Sequence, residues 1–175
     1  MQDIRDILFR DLEGRRYSAV ITAERAGVLS GVEDAYVCAE QLGIDLKLCK
    51  GEGARLSRGE RFGHFHGTAK QIAQAEEQLM GTLAKSSGIA TAAETANLLA
   101  RNRVRIVSGS WKKMPPVLKQ SVRRAIASGG AAFRICEPPM VYIDKNFIRM
   151  LGSIPAALAA AEPLENATKV IQIKG

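Results

Sequence analysis

Four cations carry most of the chemistry this sequence offers: Lys112, Lys113, Arg134 and Lys145. They lie within 101–149, a stretch holding 11 basic residues and only two acids, Glu137 and Asp144. Cations at that density favour an anionic partner, either a nucleic acid or a small polyphosphate. A lysine offers a compact point charge, whereas a guanidinium can grip two oxygens at once. The plainer reading is a solvated basic face with no ligand. That reading is the expected one for Lys119, Arg123 and Arg124, which share one helix; Lys119 and Arg123 fall on the same side at i, i+4.

Other candidates carry less. His64 and His66 lie two apart on an expected strand, so both rings can share a face. A metal site needs about three or four ligands, and no carboxylate or cysteine is paired with them, so two polar strand residues are expected. Trp111 beside two lysines could stack on a base. With aromatics at only 5%, however, no interleaved basic-aromatic platform exists, and nucleic acid is disfavoured. The run Gly109-Ser-Trp-Lys-Lys113 does not satisfy the phosphate-loop pattern, so ATP hydrolysis is unsupported.

Charge is unevenly divided along the 175 residues, whose net value is +7. Residues 1–84 sum to −2 and residues 85–175 to +9. A hydrophobic content of 46% with 25% charged residues is ordinary for a globular protein and excludes wholesale disorder. Apolar runs stop well short of the ~20 residues that span a bilayer, so no membrane partner is expected. The charged start of the chain has no apolar core of the kind a signal peptide needs. Cys38, Cys49 and Cys136 form no C-x-x-C pair, which fits a reducing cytoplasm rather than a disulfide framework.

The elements that must position these residues follow two rhythms. Up to about residue 84, short strands and helices mix. A helix is expected over Asp3–Leu12, strands over Ser18–Glu24 and Gly27–Ser30, and a helix over Gly31–Leu42 stopped by Gly43. Ile44–Lys50 alternates apolar and polar like a half-buried strand. Arg61–His66 is a further strand, and Thr68–Lys85 a long helix with Ile72, Leu79 and Leu83 inward. From residue 85 helix and strand alternate. Ser87–Ala100 is a helix capped by Ser86 or Ser87. Val104–Val107 is a strand, followed by a loop and by a helix over Val117–Ser128 that starts near Pro116. Met140–Ile143 is a strand, Phe147–Leu151 and Pro155–Ala161 are helices, and Thr168–Lys174 is a third strand.

Strands alternating with helices predict a parallel sheet with helical crossovers. Three such strands are too few to close a parallel barrel. The second stretch therefore reads as unfinished: it pairs with another chain or belongs to a longer protein. The fold class is α/β, with an N-terminal α/β sandwich domain (1–84) followed by a partial parallel α/β barrel (85–175).

Several runs, in order, resemble the quinolinate phosphoribosyltransferase family, also called nicotinate-nucleotide pyrophosphorylase (carboxylating). They are Ala26-Gly-Val-Leu-Ser-Gly31, Gly53-Ala-Arg-Leu-Ser-Arg-Gly59, Gly67-Thr-Ala-Lys70, Ala75-Glu76, Ser87-Gly-Ile-Ala-Thr91, Arg105-Ile-Val107, Ala127-Ser-Gly-Gly-Ala131 and Ile143-Asp-Lys-Asn-Phe-Ile148. The resemblance implies transfer of phosphoribose from phosphoribosyl diphosphate to a pyridine carboxylate or similar small aromatic acid, with Mg2+. It also implies a homodimer or higher homo-oligomer, in which one subunit's N-terminal domain covers the partner's barrel mouth. Lys112, Lys113, Arg134 and Lys145 are the expected substrate- and phosphate-binding residues.

The sequence departs from the family pattern where substrate should bind. Glu77 stands where the family has Arg. Trp111-Lys112-Lys113 replaces Thr-Arg-Lys, Phe133-Arg134 replaces His-Arg, and Asp144-Lys145-Asn146-Phe147 replaces Lys-Asp-Asn-His. Cations for a departing diphosphate survive, whereas the grip on two carboxylates is weakened. Two alternatives stay open: a catalytically lapsed binding or assembly protein on the same fold, and a basic nucleic-acid-binding protein.

Overall fold

The computed structural model describes residues 3–101 and 103–173. They form two compact units, Met1–Phe133 and Arg134–Gly175.

The first unit is built on an antiparallel sheet. β1 (Arg16–Thr22), β3 (Asp45–Leu48) and β5 (Arg61–Thr68) lie in the order β1-β5-β3, with Ala19 opposite Phe65 and Leu46 opposite the same residue from the other side. A separate short pair joins β2 (Gly27–Val28) to β4 (Arg55–Leu56). α1 (Ile4–Leu8) is capped by the Asp3 carboxylate, which accepts from Arg5 N. It stops at Phe9 and passes into a 3-10 turn over Arg10–Leu12, so the expected helix to Leu12 is shorter and broken. α2 (Val32–Leu42) ends at Gly43, whose φ of +64° is the left-handed cap that glycine adopts without strain.

α3 (Ala69–Ala100) is one helix of 32 residues, about 48 Å long. Two helices meeting near residue 86 were expected. Ser86 and Ser87 cap nothing: Ser86 is buried, and the Ser87 hydroxyl bonds the Ser30 backbone instead. With those hydroxyls engaged elsewhere and no proline in the run, nothing breaks the helix, and the expected boundary at residue 84 falls inside it. Its N-terminus carries a reciprocal capping box between Thr68 and Gln71. Leu79 and Leu83 are buried against Ile21, Leu29, Phe62 and Phe65, and Ile72 packs at the edge of this core.

Past α3 the chain turns parallel. The expected strand Val104–Val107 is reduced to one bridge, Val107 to Ala132, flanked by Ala132 N donating to Ile106 O and Ser108 N to Ala132 O. A 3-10 turn covers Ser110–Lys113 and another Pro116–Leu118, and α4 (Lys119–Ser128) follows. Ala93, Val122, Ile126 and Ala131 form a second core there, joined by Ile89, Ile106, Trp111 and Phe133.

In the second unit β6 (Met140–Ile143) pairs in parallel with β7 (Thr168–Ile171). α5 (Lys145–Leu151) and α6 (Ile154–Ala161) cross between them. Ile143, Ala157 and Ala161 are the core. The expected last strand reached Lys174, which lies outside the described residues. The protein is thus a mixed α/β fold, as expected, and its first sheet is antiparallel while the β6–β7 pair is parallel. No helix among the described residues is long and apolar enough to cross a membrane.

Candidate active site

A parallel pair needs its loops at the carboxyl ends of its strands, and the loop after Val107 shows how this sequence builds one. Ser108 and Ser110 hydroxyls are 3.1 Å apart, and Lys112 N donates to Gly109 O at 3.0 Å, winding Ser110–Lys113 into a tight turn. Trp111 locks that turn. Its indole packs into the second core, and its Nε1 donates to the Phe133 carbonyl at 2.8 Å. The loop after one parallel segment is thereby tied to the end of the next. Lys112 and Lys113 project from this fixed turn, both exposed.

Arg123 of α4 completes the cluster. Its guanidinium carbon lies over the Trp111 ring, 3.8 Å from the centroid. The Nε of Arg123 is buried with no hydrogen-bond partner. Arg123 and Arg124 were expected to be solvated; both are half-buried. Arg124 reaches Glu33 at 2.6 Å and also pairs with Asp34, both in the first turn of α2. Adjacent helix positions point about 100° apart, so one arginine turns to the loop and the other to α2.

The structure brings Lys112 and Lys113 together. Arg134 and Lys145 belong to the second unit, where both are exposed. Lys145 opens α5 directly beyond the carboxyl end of β6. Asp144 before it is the helix cap, its Oδ1 accepting from Asn146 N at 2.8 Å and Phe147 N at 3.2 Å. The acid at the family's lysine position therefore has a structural task. So does Phe133, through its carbonyl. Glu77 is held by Arg5 at 2.5 Å on an exposed surface.

The matched motifs themselves prove to be packing devices. Ser87 Oγ accepts from Ser30 N at 3.0 Å and Thr91 Oγ1 accepts from Val28 N at 2.9 Å, so Ser87-Gly-Ile-Ala-Thr91 holds the backbone of Ala26–Gly31 against α3. A Cβ on Gly27 would stand 2.4 Å from Thr91 Oγ1, which is why that position is glycine. Glu52, from the turn between β3 and β4, caps α2 from outside. Its carboxylate accepts from Ser30 Oγ, Ser128 Oγ (2.6 Å), Val32 N (3.0 Å) and Gly31 N (3.3 Å). Burial pushes the Glu52 carboxyl up, but the donors Ser128, Ser30, Val32 and Gly31 outweigh it and hold it below the usual carboxylate range. Sequence reading missed both Arg123 and Glu52. Their roles arise from contacts 12 and 76 positions apart, to Trp111 and Ser128, and no local pattern encodes them.

His64 and His66 share a sheet face as expected, their rings 5.3 Å apart and edge-on. Among the described residues no group of three or more His, Cys, Asp or Glu is placed to hold a metal ion. The charged side chains of the turn and over the Trp111 ring, Lys112, Lys113 and Arg123, are cations, which are not Mg2+ ligands.

Residues 6–87 match the family model for quinolinate phosphoribosyl transferase, N-terminal domain. A probable nicotinate-nucleotide pyrophosphorylase [carboxylating] of Methanothermobacter thermautotrophicus is 30% identical over 184 residues, covering 97% of this chain and 64% of that protein. The human nicotinate-nucleotide pyrophosphorylase [carboxylating] is 25% identical over 179 residues, covering 95% and 60%. In structure, NadC from Streptococcus pyogenes superposes with a TM-score of 0.78 at 19% identity, covering all of this chain and 64% of that one. The nicotinate-nucleotide pyrophosphorylase of Francisella tularensis gives 0.76 at 20%, covering 98% and 66%. The chain spans less than two thirds of the length of each of these relatives. The family resemblance read from the sequence is shown, and the structural likeness is one of fold.

Proposed function

We propose that the protein serves phosphoribosyl transfer of the NAD-biosynthesis type, moving phosphoribose from phosphoribosyl diphosphate to a pyridine carboxylate or similar aromatic acid. The observation that carries this reading is the Trp111-locked turn, which presents Lys112 and Lys113 just beyond the parallel bridge of Val107 to Ala132. Open α/β sheets bind ligands beyond the carboxyl ends of their strands. In such a reaction a diphosphate leaves a ribose carbon. Negative charge grows on the leaving group and positive character on the sugar, so cations fixed beforehand lower the barrier. Lysines suit a diphosphate because they act as point charges without demanding a planar partner. Arg134 and Lys145 belong to the second unit and are candidate phosphate ligands there, Lys145 directly beyond the carboxyl end of β6.

Mg2+ would be carried by the diphosphate, since this ion binds through substrate phosphates and few protein ligands, and it would neutralise charge on the leaving group. A cytoplasmic homodimer belongs to the proposal. The three free cysteines support the first part, and light scattering would test the second.

Isothermal calorimetry with phosphoribosyl diphosphate and Mg2+ tests the reading. A binding heat that shrinks at least tenfold in affinity in Lys112→Ala/Lys113→Ala is expected. No heat at millimolar ligand refutes it. The ion pair of Glu77 with Arg5 favours a second reading, a lapsed binding or assembly protein, because the charge reversal is absorbed into the fold. If the double variant Glu77→Arg/Phe133→His gains no transferase activity, this second reading is preferred.

A further inference from the structure

The cationic turn is followed by an apolar wall that phosphoribosyl transfer leaves unused. Met114, Val117 and Leu118 form it, and Val117 is 84% and Leu118 46% exposed. With Ile89 of α3 and Val122 of α4 they line a cleft of about 820 Å³. Pockets of about 300–1,000 Å³ enclose small molecules. The described residues lining it include none of the four candidate phosphate ligands. Gly81 of α3 keeps the cleft open. Glycine is a poor helix former, and nothing lies within 4 Å of the Cβ that another residue would carry there. Close neighbours demand glycine at Gly27 and Gly129, whereas none does so at Gly81. The polar lining is mostly committed. Thr82 and Ser121 hydroxyls donate to the carbonyls of Gln78 and Leu118 at 2.9 and 3.0 Å, and Arg124 is paired with Asp34. The Lys85 ammonium has no ion-pair or hydrogen-bond partner among the described residues, and it is the one uncommitted charge of the described lining.

We propose that this cleft is a second ligand-binding site, one that takes an aliphatic carboxylic acid of medium chain length. The proposal goes beyond the phosphoribosyltransferase reading and does not depend on it. The apolar lining is aliphatic, with no aromatic ring among the described lining residues, so it suits a flexible chain better than a flat ring. Met114 adds an unbranched thioether that adapts to an irregular chain. Lys85 is one helical turn from both Gly81 and Ile89, so its charge stands on the same side of α3 as the opening. A carboxylate meeting Lys85 forms a charge-assisted hydrogen bond, about twice as strong as a neutral one. The chain behind it takes the exposed surface of Val117 and Leu118 out of water. A diphosphate or dicarboxylate is a poor fit, because a single uncommitted cation would face several negative charges with Asp34 in the same lining.

Ile89 and Val122 also pack with Trp111 in the second core, so the sole tryptophan reports on occupancy of the cleft. Calorimetry and Trp111 emission follow titration of the chain with octanoate and, separately, with 1-octanol, each below the concentration at which it aggregates. The wild type, Lys85→Gln and Gly81→Leu are compared, and thermal melting checks the folding of each. The wild type is expected to bind octanoate at millimolar concentration or below, and about fivefold or more tighter than octanol. Lys85→Gln should lose that preference, octanoate weakening by about fivefold or more and octanol by less than about twofold. Gly81→Leu should fill the cleft and weaken both ligands by about tenfold or more without lowering Tm, since leucine is the better helix former. Octanoate bound no tighter than octanol by the wild type, or unchanged in Lys85→Gln, overturns the proposal. Octanoate unchanged in a folded Gly81→Leu overturns it too, because the ligand then sits elsewhere. Should Gly81→Leu melt early, the exposed substitution Lys85→Gln decides alone. No response to octanoate at millimolar concentration overturns the proposal and leaves the phosphoribosyltransferase reading standing, since that reading is tested with phosphoribosyl diphosphate.

Discussion

Replacing Gly129 by alanine would test whether the approach of α4 to α3 sets the geometry of the cationic turn. An added Cβ would stand 2.1 Å from the Ala90 carbonyl oxygen and 2.6 Å from the Ala93 Cβ. Carbon atoms pack at about 3.5–4.0 Å, so the two helices would have to separate by roughly 1 Å. Neither obstacle can swing aside, because one is helix backbone and the other is a methyl fixed to it. The backbone of Gly129 itself, at φ −83°, accepts any residue, so the whole effect is steric. Overpacking of this kind costs about 1–3 kcal/mol, and a near-rigid clash belongs at the upper end. For a chain of this size each kcal/mol moves Tm by about 2–4 °C, so a fall of about 6–12 °C is expected. Gly88→Ala is the control: it sits in α3 with nothing within 4 Å of the added methyl and should gain up to about 1 kcal/mol. Circular dichroism melts provide the measurement, and Trp111 emission should shift red in Gly129→Ala as its cluster with Val122 and Ile126 loosens. A Gly129→Ala protein melting within 1–2 °C of wild type, against the much larger fall, would refute the argument.

Acid should expose the Glu52 cap. Its folded pKa is depressed, so its contribution is complete above the ordinary carboxylate value of about 4.3 and is lost as pH falls through the lower folded value. Melts below that pH should converge for wild type and Glu52→Gln while they differ at pH 7. Thr91→Val keeps the shape but removes the acceptor for Val28 N; a loss of about 1–2 kcal/mol is expected, with faster hydrogen exchange at the Val28 amide. Glu77→Arg sets a cation beside Arg5 and removes an exposed ion pair worth at most about 1 kcal/mol. Stability should hardly change, while proteolysis around Phe9–Glu13, where α1 gives way to a 3-10 turn, should quicken.

The elements were legible where a local rule acts alone. Gly43 stopping α2, the alternation of Leu46 and Leu48 in β3, and the strand Met140–Ile143 all follow from glycine conformation or a two-residue period. The rule misled where tertiary contact reassigned a side chain. Ser87 has the composition of a cap, yet its hydroxyl is taken by Ser30, so the helix runs on. Val104–Val107 has the composition of a strand, yet only Val107 finds a partner backbone. Within the site the lysines were visible because charge is a property of sequence. The arginine over Trp111 was not, because α4 offers two adjacent arginines and only the packing decides which faces the loop.

The unbroken run of α3 has a practical consequence for anyone dissecting this protein. Its first half roofs the antiparallel sheet, while its second half holds Ala26–Gly31 through Ser87 and Thr91 and receives α4 at Ala90 and Ala93. Scissors placed at residue 84 would leave the N-terminal product with bare amides at Val28 and Ser30, and the C-terminal product without the rod on which its cationic turn is mounted. A single-residue insertion near Lys85 would twist everything downstream by about 100° and mismatch both clamps at once. Truncations should therefore keep 69–100 whole, and a stable autonomous piece should extend at least to Phe133.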